Sequence, residues 1–248
     1  MIKKYSQKGF AHLGLIVIVA VVVAVVGFAL WKVSSNNKGD TNSSASPATK
    51  AADKAALSAC EKSINDKDFC KFASHADLIK EVYVATATSV TSEGTSTMTI
   101  KSDGKDNSDL TISQGGVEVT RYISLDGATY MKTPDSDTWI KYPATSSPVS
   151  KDTSPTSDFK INYSNITENN TLSYKNLGKE ACGKLNCLKY QIVDTANAGT
   201  TQYIWFDTKD YLMQRFSIKD SSGSNDMTFT YPSSVTITAP SPSEEFSL

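Results

Sequence analysis

Histidine is nearly absent from this 248-residue chain, which holds two, His12 and His75. A Ser-His-Asp arrangement needs a histidine beside an exposed nucleophile, and no G-x-S-x-G elbow occurs. Histidine ligation of a metal requires partner ligands that the sequence does not supply. The acidic pair Asp66 and Asp68 lacks the glycine and the closing glutamate of an EF-hand loop, so a solvated turn is expected there. His75 reads as a packing residue. No catalytic residue, cofactor or metal is therefore nominated, and the chain reads as a non-enzyme. A charge excess of one sign is missing too. The formal net charge is −1, which gives no argument for a nucleic-acid partner. Setting aside Lys3, Lys4, Lys8 and Lys32 leaves the rest of the chain mildly acidic, at about −5.

Charge and proline are absent from Leu13 to Leu30, LGLIVIVAVVVAVVGFAL. With its neighbours this run covers roughly 30 Å as a helix, the thickness of a bilayer core. Trp31 stands where an interfacial aromatic would, and three lysines precede the run. The expectation is a single-pass cell-membrane protein, N-terminus cytoplasmic and C-terminal domain extracytoplasmic, whose contact with the bilayer is through residues 11–33. A cleaved signal peptide would have a shorter apolar region and a small-x-small site. The flank Phe28-Ala29-Leu30-Trp31-Lys32 offers none, and no cysteine lies near residue 30 for lipidation. Lys8-Gly9-Phe10 resembles the start of type IV prepilins, which implies peptidase cleavage between Gly9 and Phe10. The fifth residue from Phe10 is Gly14 where that family has glutamate, and the helix stops at Ser34-Ser35-Asn36-Asn37 instead of continuing as a stalk. The divisions expected are a cytoplasmic N-terminus at 1–10, a transmembrane helix at 11–33, a flexible Ser/Asn/Thr-rich linker at 34–47, a β-rich extracytoplasmic domain at 48–241 and a tail at 242–248.

Cysteine is scarce, with four in two local pairs, Cys60 with Cys70 and Cys182 with Cys187. Four cysteines allow three pairings. Export permits disulfides, and proximity in sequence favours the two local bridges. A four-thiolate zinc site is the alternative, and it prefers CxxC knuckles that these spacings do not give. Ser46-Pro47 starts a helix, and Ala52, Ala55, Ala56, Leu57 and Cys60 continue it at helical spacing to about residue 63. A short second helix carries Phe69, Cys70 and Phe72.

From about Val82 the period changes to two. Met98 and Ile100, Leu110 and Ile112, then Val117 and Val119 alternate with polar residues, as in strands with one wet face. Turn signals at Ser102-Asp103-Gly104, Gly115-Gly116, Asp126-Gly127 and Pro134-Asp135 separate them. Residues 143–159 read as a long loop. Leu188, Tyr190 and Ile192, then Met227, Phe229 and Tyr231, then Val235 and Ile237 mark later strands. The segment 204–218, IWFDTKDYLMQRFSI, reads as a hairpin turning at Asp207–Asp210.

That hairpin, with Trp205, Asp207 and Arg215, resembles the one in bacterial lipoprotein-carrier folds, the LolA and LppX/LprG-like superfamily. Residues 125–143, LDGATYMKTPDSDTWIKYP, resemble the same group's D-G-x-x-Y…W-x-K hairpin. The resemblance spans residues 48–241. It implies an α+β fold in which a mainly antiparallel, curved half-barrel of about 10–11 strands packs on one or two helices, here following an N-terminal transmembrane helix. It also implies an anchored domain binding a lipid, a lipoprotein acyl chain or another apolar ligand. Met98, Ile100, Val117, Val119, Tyr190, Ile192, Leu212, Phe216 and Phe229 are then expected to face inward and line the ligand site. The alternative is a structural or adhesive, pilin-like surface protein without a ligand, its apolar strand faces simply filling a core.

Overall fold

A computed structural model of the chain describes residues 57–73, 81–132, 136–143, 172–195 and 198–246. Among the described residues two helical segments come first: α1, helical over 57–64, and α2, Lys67–Ala73. Leu57, Cys60 and Ile64 recur at helical spacing on the inward stripe of α1. Asn65 ends that helix with a positive φ of 55°, its N–H donating to the Glu61 carbonyl at 3.1 Å, the left-handed stop that asparagine tolerates best after glycine. Asp66 then caps α2, its Oδ1 accepting the Phe69 N–H at 2.9 Å. The Cys60–Cys70 disulfide joins the two helices, with Cα atoms 5.6 Å apart.

Twelve strands follow in one sheet: β1 Val82–Thr91, β2 Gly94–Asp103, β3 Ser108–Gln114, β4 Val117–Leu125, β5 Ala128–Lys132, β6 Trp139–Tyr142, β7 Leu172–Cys182, β8 Leu185–Asp194, β9 Thr201–Asp207, β10 Met213–Asp220, β11 Gly223–Thr230 and β12 Ser243–Glu245. Their order is β12-β6-β5-β4-β3-β2-β1-β11-β10-β9-β8-β7. Two meanders, β1 to β6 and β7 to β11, are thus joined along the β1–β11 ladder. Every pairing is antiparallel except the parallel β12–β6. Tight turns explain the local order. Asp126 and Gly127, both at positive φ, turn β4 into β5, the backbone that two-residue hairpins require. The Cys182–Cys187 disulfide closes the β7–β8 turn, Cα atoms 5.8 Å apart.

The expected fold class is corrected in two respects. The described residues form predominantly a twelve-stranded sheet with two helical segments, and among them no helix is long and apolar enough to cross a membrane. The expected single-pass localisation is corrected on the same finding. The segment at 11–33 on which it rested lies outside the described residues, as do the Gly9-Phe10 site, the linker, His75 and most of the 143–159 loop. The expected strand at Val235–Ile237 is not one. That proline-bounded stretch runs without ladder pairing, and Ile237 packs on Ile123, Tyr130 and Trp139 in a small second core. The twelfth strand, Ser-Glu-Glu, has no apolar alternation that would announce it. Its place on β6 comes from the Phe246 N–H donating to the Lys141 carbonyl at 2.8 Å, the Lys141–Glu245 ion pair at 2.7 Å and a Tyr142–Phe246 ring stack.

The two cores lie on opposite faces of the sheet. Register carries one face across it: Phe229, Ala85, Ile100, Leu110 and Tyr122 are successive partners from β11 to β4, and Met131 and Ile140 continue on β5 and β6. Phe229, Ala85 and Ile100 belong to the main core, which includes α1 and α2. Ile123 and Tyr130, one residue out of phase with Tyr122 and Met131, lie on the far face with the second core.

Candidate functional site

The helix-side face divides at its centre. Over β7 to β9 it is filled by α2. Phe69 meets Tyr174 and Tyr190 at centroid distances of 4.3 and 5.1 Å, and Phe72 stacks on Phe206 at 4.2 Å. The helix is also tied down by polar groups. Asp66 Oδ2 accepts from Tyr190 Oη at 2.7 Å and from Asn176 Nδ2 at 3.1 Å, and the Tyr211 hydroxyl donates to Asp68 Oδ1 at 3.0 Å. Partial burial pushes the Asp66 carboxyl up, but hydrogen bonds from Phe69, Tyr190 and Asn176 outweigh it and hold the group below its ordinary value. Burial and the neighbouring carboxylate push the Tyr190 phenol up.

Over β2 to β6 the same face carries Met98, Leu110, Tyr122, Met131 and Ile140, all half-buried. Five adjacent strands thus present large apolar side chains toward the helix side, beyond the part that α2 covers with its aromatic rings.

A third row crosses the sheet near one end of the strands and is more polar. Tyr174, Ile192, Gln202, Ile218, Asn225 and Ser89 are successive partners from β7 to β1, and Ser96 follows on β2. Asn225 is 6 % exposed, and among the described residues neither its Nδ2 nor its Oδ1 has a hydrogen-bond partner. A buried polar group left unpaired costs about 1–3 kcal/mol. Ser89 beside it is 8 % exposed. No charged side chain stands in this row. One step further along the strands on the same face come Asp194 and Asp220, both acidic.

Of the residues expected to line a site, Ile100, Tyr190, Phe216 and Phe229 are buried in the main core, and Met98 and Ile192 pack against it half-buried. The other three are not brought there. Val117 is 68 % exposed beside the Gly115-Gly116 turn. Val119 is the extra residue of a β-bulge, since Ile112 pairs with Thr120 and Ser113 with Glu118. Leu212 is buried but precedes a second bulge, at Gln214, and it is Met213 that joins Phe216 in the main core. The bulge at Val119 also hid Tyr122, because alternation counted through it assigns the wrong face. Leu110 was visible in the SDLTIS alternation. Asn225 gave no signal, because an isolated asparagine in a polar strand start reads as exposed.

The residues that carried the family resemblance build the hairpin itself. Asp207, 5 % exposed, organises the turn. Its Oδ1 accepts the N–H groups of Lys209 and Asp210 at 2.9 and 2.6 Å, and its Oδ2 accepts the Leu212 N–H at 3.2 Å and Gln214 Nε2 at 3.0 Å. Trp205 and Arg215 lie on the far face. The indole is held between Lys189 Nζ, 4.8 Å from its centroid, and the Arg215 guanidinium at 4.5 Å. Arg215 in turn makes a two-pronged contact with Asp226, with Nε and an Nη each donating to the carboxylate at 3.0 Å or less. Among the described residues no group of three or more His, Cys, Asp or Glu side chains is placed to hold a metal ion. Both cysteine pairs are disulfides, so neither serves the four-thiolate alternative.

No family model matches the chain, and no curated protein matches it. Among solved structures it is similar to the lipoprotein LppX of Mycobacterium tuberculosis, at 13 % identity and a TM-score of 0.43 over 75 % of this chain and 100 % of that one. It is similar to LprF of Mycobacterium bovis, at 11 % identity and a TM-score of 0.42 over 75 % and 97 %. A putative outer membrane lipoprotein-sorting protein domain from Vibrio parahaemolyticus follows, at 9 % identity and a TM-score of 0.26 over 74 % and 95 %.

Proposed function

We propose that the helix-side face over β2 to β6 binds an apolar ligand, a lipid or a lipoprotein acyl chain, and that the body at 48–241 is a binding domain with no reaction of its own. The observation that supports this most is the five-strand apolar band of Met98, Leu110, Tyr122, Met131 and Ile140, half-buried where the equivalent positions over β7 to β9 are filled by α2. Sites for apolar ligands are lined in this way, by apolar and aromatic side chains with few polar groups among them. On the same face Ile100, Tyr190, Phe216 and Phe229 are buried in the main core, and Ile192 packs against it half-buried.

Native mass spectrometry of the full chain tests the reading, together with uptake of a fluorescent fatty acid. A co-purifying acyl species and saturable uptake are expected. Both should be lost in Leu110→Asp and kept in Thr111→Asp, whose substitution falls on the opposite face of the same strand, with the melting temperature of each variant as the folding control. A clean apo mass without uptake would leave the band as ordinary core, as the alternative of a structural surface protein requires.

A further inference from the structure

We infer that Asn225 anchors the polar end of the ligand and selects an uncharged head group that sets a hydrogen-bond donor beside an acceptor, as a hydroxyl next to an ester carbonyl does. The inference rests on the proposed apolar-ligand reading and adds to it which end of the ligand lies where. Both polar atoms of the Asn225 side chain are buried without a partner among the described residues. One is a donor and one an acceptor, a few ångströms apart on a single amide. A hydroxyl-bearing ester meets both at once. A hydrocarbon meets neither.

Placement supports the same conclusion. Asn225 lies one row from Met98, the β2 member of the apolar band, since its β1 partner Ser89 is two residues along from Ala87, which pairs with Met98; the other band residues lie one row further. Ser89, Ser96 and Gln202 stand in the same row and supply further uncharged donors and acceptors. No lysine or arginine is present in the row to pair a phosphate or an ionised carboxylate. The nearest charge along the strands on this face, Asp220 on the adjacent β10, would repel either one. A buried anion without a counter-ion is strongly disfavoured, so the row excludes anionic heads while accepting neutral ones. A cationic head gains from Asp220 but leaves the Asn225 donor unmet.

Affinities of the solvent-stripped full chain for three ligands of one chain length, 1-monooleoylglycerol, oleate and oleylamine, test this below their aggregation concentrations at neutral pH. The expected order places the monoacylglycerol at least about ten-fold tighter than the other two, the scale on which hydrogen-bonding sites discriminate. Asn225→Leu should weaken the monoacylglycerol about ten-fold while raising the melting temperature, because it removes an unpaired buried amide. Asn225→Asp, which keeps the shape but replaces the donor by a negative charge, should shift preference toward oleylamine. Oleate binding as tightly as the monoacylglycerol overturns the inference, as does Asn225→Leu leaving all three affinities unchanged; in both cases the apolar reading of the face survives. Binding of none of the three removes both.

Discussion

Asp207 shows how much a single side chain can organise. Its four accepted hydrogen bonds close the β9–β10 turn, and they include three backbone N–H groups that would otherwise need other partners. Asp207→Ala is expected to destabilise the protein by about 3 kcal/mol, since hydrogen bonds to charged groups contribute about 1.5–3 kcal/mol each and are not additive. Urea denaturation measures it. Asp66 gives a pH dependence. Its folded carboxyl lies below the ordinary value, so the stability it contributes is fully present above the unfolded value of about 4 and is lost as pH falls through the folded one. Asp66→Asn keeps the cap but removes the titration. Acid unfolding followed by circular dichroism should therefore begin at higher pH in the wild type, relative to its neutral stability, than in the variant. Loss curves that coincide after normalisation at neutral pH would refute this role for Asp66.

At the scale of elements, α2 spans seven residues, too few to be stable in isolation. Its place depends on Phe69 and Phe72, on the polar ties of Asp66 and Asp68 at its N-terminal end and on the Cys60–Cys70 bridge. Phe72→Ala should cost about 3–5 kcal/mol, as truncation of a fully buried aromatic does. Replacing both Cys60 and Cys70 by serine should cost about 2–3 kcal/mol by the loop-closure relation, and somewhat more than the same change at the shorter Cys182–Cys187 loop. Chemical denaturation checks all three. The helices, the two local bridges, the start of the sheet near Val82 and most of its hairpins were legible in the sequence, because turn chemistry and alternation act over a few residues. The bulges at Val119 and Gln214 were not. One inserted residue reverses the face of everything beyond it, which is why Val119 and Leu212 were nominated while Tyr122 and Met213 were passed over; Val117, the partner of Gln114, keeps the helix-side face but stands exposed beside the Gly115-Gly116 turn. Val235–Ile237 misled for another reason: alternation there serves packing on the second core, without a ladder. The half-buried band and the unpaired Asn225 depend on which strands become neighbours, and no local pattern records that.

For the whole molecule, the sheet order matters more than any one element. An open sheet has two edges, here β7 and β12, and unpaired edges invite association between chains. Three residues of β12 cover β6 in parallel. Truncation after Ser241 should expose β6 and raise the aggregation rate, seen by light scattering, while a truncation after Phe246 should not. The two meanders otherwise depend on β1 and β11 finding each other, and the residues that pair there, such as Val84 and Thr230, are 146 apart in the chain. Hairpins within each meander close over short loops and form quickly, whereas a contact of that separation must wait for a costly loop to close. The seam between β1 and β11 therefore sets the folding timetable: two half-sheets arise independently, and the protein becomes one body only when its middle, the last part to assemble, is joined.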